Sequence, residues 1–113
     1  MKYVLFVCTP VGGEELDAED ILTDPRSAPY LRDMLAGGAV RSGTRLRPST
    51  DATTVRVQGD EVLLSDGPFA ETKEYIAGVD LIDVADLDEA IALAARHPVA
   101  LRGGSVEVRP VWE

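Results

Sequence analysis

Two stretches of this chain carry apolar side chains on both parities: Tyr3 to Cys8 without a break, and Tyr75 to Val84 further on. A strand that is apolar on both sides needs cover on both faces, so each belongs in the middle of a sheet and not at its edge. An all-helical chain is thereby excluded. With 113 residues, 45% of them hydrophobic, there is material for one domain around one modest core.

The other segments must flank and cover these two strands. Thr9-Pro10-Val11-Gly12-Gly13 ends the first. The acidic stretch from Glu14 to Asp24 has few apolar positions and reads as a solvated connection or weak helical turn. From Asp24-Pro25 a helix is expected, with Tyr30, Leu31, Met34 and Leu35 on its apolar face and Gly37-Gly38 stopping it; Pro25 and Pro29 each suit its first position. Val40 to Arg47 reads as a strand. Thr53 to Gln58 and Glu61 to Ser65 then form a hairpin around Gly59-Asp60, with Val55 and Val57 alternating against a wet face.

After Val84, Asp86 and Glu89 make a capping-box pattern, and Leu87, Ala90, Ile91 and Ala94 form the stripe of a helix that His97-Pro98 ends. Ser105 to Arg109 is a final strand, with Val106 and Val108 opposed to Glu107 and Arg109. The order is that of an α+β, ferredoxin-like βαββαβ unit with a β-hairpin inserted in its middle. Two helices cover one face of such a sheet, and a second copy of the chain is the expected cover for the other.

Charge and cysteine usage narrow the function classes. Eleven basic against twenty acidic residues give a net charge of −9, which repels phosphate backbones and anionic membranes, so neither nucleic acid nor membrane is an expected partner. The single cysteine, Cys8, excludes an internal disulfide and a multi-cysteine zinc site. No metal-ligand cluster, Gly-rich phosphate loop or serine triad is visible, and no cofactor is expected. The apolar run after Lys2 is too short for a signal-peptide core or a bilayer span, and a cytoplasmic setting is expected.

Chemistry-bearing residues concentrate in the segment from Ser65 to Glu74. Asp66-Gly67-Pro68 compels a reversal, so Asp66 has a turn-capping role, while Glu71, Lys73 and Glu74 remain for acid/base work. Phe69 reads as a core or dimer anchor. Arg41, Arg45 and Arg47 share parity on a regular strand; facing a cleft they would favour a small anionic molecule, while on a solvated edge they would discourage aggregation. Gly43 is a candidate bulge that would break this parity. Glu107 and Arg109 suit an ion pair at a subunit seam, with polarisation of a substrate by Arg109 as the lesser reading. His97 reads as a helix C-terminal cap, and Cys8 as a small buried apolar residue.

The ordered set Asp66-Gly67-Pro68-Phe69, Glu71, Lys73-Glu74, Gly78, Leu81-Ile82-Asp83-Val84 and Gly104 to Pro110 resembles the DGPF group of the YCII-related proteins. The resemblance implies a single domain over residues 1–113 and a homodimer forming a dimeric α/β barrel, in which two ferredoxin-like sheets pack face to face around a cleft. It also implies a fold similar to muconolactone isomerases and an unassigned biochemical role. Two classes follow: a small-molecule-binding or isomerase-like protein, or a non-catalytic accessory module with a regulatory protein partner, linked to a sigma factor of the extracytoplasmic-function type. Related proteins carry a histidine in the first helix, proposed to work with an aspartate; the first helix here offers Tyr30 and Asp33 instead. The candidate pocket residues are Asp66, Phe69, Glu71, Lys73, Arg45, Arg47 and Arg109, with no catalytic residue assigned.

Overall fold

A computed structural model of the chain describes residues 1–12, 17–68 and 73–113. In chain order the elements are β1 (Lys2–Pro10), α1 (Ala18–Thr23), α2 (Ala28–Leu35), β2 (Val40–Arg45), a 3-10 turn at Ser49–Asp51, β3 (Thr53–Gln58), β4 (Glu61–Asp66), β5 (Glu74–Asp83), α3 (Leu87–Ala94), α4 (Pro98–Leu101) and β6 (Ser105–Pro110). Gly13, Glu14, Phe69 and Glu71, named above from the sequence, lie outside the described residues.

β2, β5, β1 and β6 form an antiparallel sheet in that order, so the two apolar runs are its central strands, as their patterning requires. This α+β arrangement is compatible with a ferredoxin-like fold. Among the described residues β3 and β4 pair only with each other. Tyr3 and Leu5 of β1 and Ile82 of β5 turn toward α2 and α3, where Tyr30, Ala90, Leu93 and Ala94 complete the core with Val40 and Val84. Side chains such as Leu5 and Ile82, fully buried, each contribute about 1.5–3 kcal/mol. On the opposite face Val4, Phe6, Val79 and Leu81 are only half-buried, so a single chain covers one side of its sheet.

Several local expectations change. The acidic connection contains a short helix, α1, whose N-cap Asp17 accepts from the Glu19 N–H at 3.1 Å. α2 begins at Ala28 with Pro29 in its first turn, and Leu35 is 82% exposed instead of joining the apolar face. In α3 the capping contact forms, Asp86 Oδ1 accepting from the Glu89 N–H at 2.9 Å, but Leu87 and Ile91 are half-exposed. The buried stripe is Ala90, Leu93 and Ala94, spaced i, i+3, i+4. Cys8 is half-buried, with its thiol pushed up by burial and then by the charges of Glu74 and Glu107. In the β3–β4 ribbon Val55 and Val57 stand opposite Leu64 and Val62, and all four are exposed, so the face expected to be dry is open.

The parity of β2 is also corrected. Its pairing with β5 slips between Val40 and Ser42, making Arg41 the extra residue. Val40, Gly43 and Arg45 therefore lie opposite Ile82, Asp80 and Gly78, on the helix-covered side. Gly43 is not the bulge.

Candidate functional site

A cavity of about 520 Å³ lies between the helices and the sheet, bounded by β1, α1, α2, β2, β5 and the start of α4. Three of its lining residues carry buried polar groups: Tyr30, 1% exposed, Asp80, 6% exposed, and the nearly buried His97. α2 presents Tyr30 one residue after its Pro29. Asp80 sits at the centre of β5 on the parity of Gly78 and Ile82, facing the helices. His97 follows the last turn of α3, its N–H bonded to the Ala94 carbonyl at 3.0 Å, which continues the buried stripe by another turn.

The three side chains converge on one oxygen. Tyr30 Oη donates a hydrogen bond to Asp80 Oδ2, and His97 Nε2 lies 3.2 Å from the same atom. The Tyr30 and His97 rings meet edge to face, with centroids 4.9 Å apart. His97 is not a C-terminal cap of α3: it is the N-cap of α4, its Nδ1 accepting from the Val99 N–H at 3.1 Å. An amide N–H can only donate, so Nδ1 bears no proton and the neutral ring carries its proton on Nε2, facing the carboxylate. Burial first, then the hydrogen bond and charge of Asp80, push the Tyr30 hydroxyl far above the ordinary tyrosine range. Tyr30 therefore remains a donor.

With Oδ2 held in this way, Asp80 Oδ1 has no hydrogen-bond donor among the described residues. Gly43 makes room for it: a Cβ there would stand 3.0 Å from Oδ1 and 3.1 Å from Met34 Sδ. The arrangement is a carboxylate oriented through one oxygen and able to accept a hydrogen bond or a proton at the other. Both ring nitrogens of His97 are engaged, so the imidazole orients the carboxylate.

Of the residues expected at a pocket, Arg45 and Arg47 line this cavity, and Arg47 Nε also contacts Asp51 Oδ2 at 2.9 Å. Asp66 pairs with Thr53 at the end of β4, outside the cavity lining. Gly67, at φ +93°, donates its N–H to the Ala52 carbonyl at 2.7 Å, which makes Asp66 to Pro68 a backbone corner. Lys73 is exposed, and its carbonyl accepts from the Val11 N–H at 2.8 Å. Arg109 lies on the opposite face of the sheet, paired with Glu107 at 2.5 Å and stacked 4.9 Å from the Phe6 ring centroid. Phe69 and Glu71 are outside the described residues. The structure thus separates Arg109 from Arg45 and Arg47.

Sequence reasoning passed over Asp80, although a signal was present. A carboxylate on the inward parity of a central strand, between Gly78 and Ile82, requires a buried partner.

The YCII-related domain model matches residues 1–113. The chain belongs to the YCII-related family. It is also 44% identical over 81 residues to an uncharacterized protein of Rhizobium meliloti (strain 1021), a match covering 71% of this chain and 65% of that relative. The chain therefore spans about two thirds of the length of the curated relative it matches. The first-helix histidine implied by the family resemblance is absent from this YCII-related chain, yet an aspartate and a histidine still meet, with the histidine supplied from the α3–α4 junction.

Proposed function

We propose that this YCII-related protein binds a small molecule in the cavity beside Asp80 and moves a proton on it, as an isomerase-like catalyst that uses no cofactor. The observation that carries this reading is the Tyr30–Asp80–His97 cluster, with one carboxylate oxygen held and the other turned to a space of ligand size. Asp80 Oδ1 takes a proton from a carbon acid of the ligand, and the electron pair left behind delocalises into an adjacent carbonyl. The same carboxyl returns the proton at another position, so the reaction is an isomerisation with no net gain or loss of protons. Tyr30 and His97 are positioning residues.

The test is deuterium incorporation from D2O into enolisable, ring-bearing 2-oxo acids such as phenylpyruvate, followed by NMR. The protein should exchange at least one such acid faster than buffer, and Asp80→Asn should reduce that rate by about 10²-fold or more. If no acid of this class exchanges faster than in buffer, the proton-transfer reading fails.

The half-covered sheet face bearing Phe6, Val79 and Leu81 supports a homodimer built as an α/β barrel, with the β3–β4 hairpin as an insertion in the ferredoxin-like unit. A second reading, an accessory module that docks a regulatory protein, is favoured by the exposed apolar face of Val55, Val57, Val62 and Leu64.

A further inference from the structure

The cavity is chemically different at its two ends. Buried Asp80 offers Oδ1, an acceptor with no donor among the described residues, whereas Arg45 and Arg47 supply cationic donors on the exposed strand and the residues after it. Asp80 stands opposite Gly43, and Arg45 lies two residues further along β2 on the same side, a displacement of roughly 7 Å. Between these ends the walls include Tyr75, Leu31 and Met34, which suit a flat apolar body.

We infer that the ligand class is a ring-bearing carboxylic acid with a hydrogen-bond donor at the end opposite its acid group, bound with the donor inward on Asp80 and the acid outward on Arg45 and Arg47. The inference deepens the proposed function and rests on this cavity being the functional site. A ligand entering acid first would place like charge beside Asp80, which costs affinity wherever water is excluded. A neutral phenol would satisfy Asp80 but bring no anionic group to the arginine end. Arg47 keeps donors available beyond its Asp51 contact, because a guanidinium carries five N–H groups. A roughly 7 Å spacing matches the length of a para-substituted ring.

Calorimetric titration of the full chain with 4-hydroxybenzoate, benzoate and phenol tests the assignment. The hydroxy acid should bind about tenfold or more tightly than either single-function probe, because it gains a charge-assisted hydrogen bond over benzoate and an ion pair over phenol. Asp80→Asn should shrink the preference for the hydroxy acid over benzoate by about tenfold. The double variant Arg45→Ala, Arg47→Ala should weaken both acids and leave phenol unchanged. Equal affinity of the wild-type protein for benzoate and 4-hydroxybenzoate overturns the inference, even if Asp80→Asn fails to fold. So does the absence of binding by all three probes at millimolar concentration. The expected ranking without deuterium exchange upholds the ligand class and sinks the proton-transfer reading; exchange without the ranking does the reverse.

Discussion

Asp80 couples stability to the site, because the groups that make its burial tolerable also aim it. Tyr30→Phe removes the hydroxyl donor on Oδ2 and should cost about 1.5–3 kcal/mol of stability at neutral pH. The same variant should alter the alkaline limb. A tyrosine whose native pKa is raised contributes stability in full below the unfolded value near 10 and loses it as pH climbs above that, since only the unfolded state can then ionise. Chemical denaturation across pH 8 to 11 should show wild-type stability falling above about pH 10, and Tyr30→Phe should fall less steeply. Gly43→Ala is a separate probe: overpacking against Oδ1 and Met34 Sδ should cost about 1–3 kcal/mol and displace the carboxylate, so deuterium exchange should drop more than the loss of folded protein explains. The sequence revealed Asp80 only as an inward-facing charge. Which donors answer it depends on α2 and the α3–α4 junction reaching β5, a pairing across fifty residues between Tyr30 and Asp80 that local spacing cannot encode.

Elements were legible where patterning was local. The central strands and the α3 capping contact follow from consecutive residues, whereas the rotation of α3 is set by what it packs against, and Leu93 replaces Leu87 and Ile91 in the core. α4 spans only four residues, and its neighbours hold it. Arg102 at its C-terminal end donates to the Asp20 carbonyl at 3.1 Å and contacts Asp24 Oδ2 at 3.5 Å, tying the His97-bearing junction to the α1–α2 region. The Arg26 side chain, with its backbone N–H, holds the Asp24 carboxyl down at about 2. A depressed carboxyl pKa contributes stability above the unfolded value near 3.9 and loses it as pH falls toward about 2. Asp24→Asn should accordingly flatten the acid unfolding curve between about pH 4 and 2 relative to wild type, measured by circular dichroism.

At the scale of the whole molecule the sheet presents different faces to different tasks. The helix-covered face holds the cavity, and the opposite face holds Phe6, Val79, Leu81 and the Glu107–Arg109 pair. If that second face joins two copies, Leu81→Asp should convert a dimer to a monomer in sedimentation at micromolar concentration while leaving the Asp80 cavity intact; a wild-type monomer would remove the barrel from the proposal. The sequence made the need for a second cover visible, but it left Arg45 and Arg47 between an intersubunit cleft and a solvated edge, because the slip at Arg41 leaves no mark in residue type. That slip has a genetic consequence. Removing the single codon for Arg41 would restore strict alternation to β2 and still leave Val40, Gly43 and Arg45 opposite Ile82, Asp80 and Gly78. The bulge is thus a place where the strand tolerates a change of one residue in length, whereas loss of Thr44, beyond it, would turn Arg45 to the other surface.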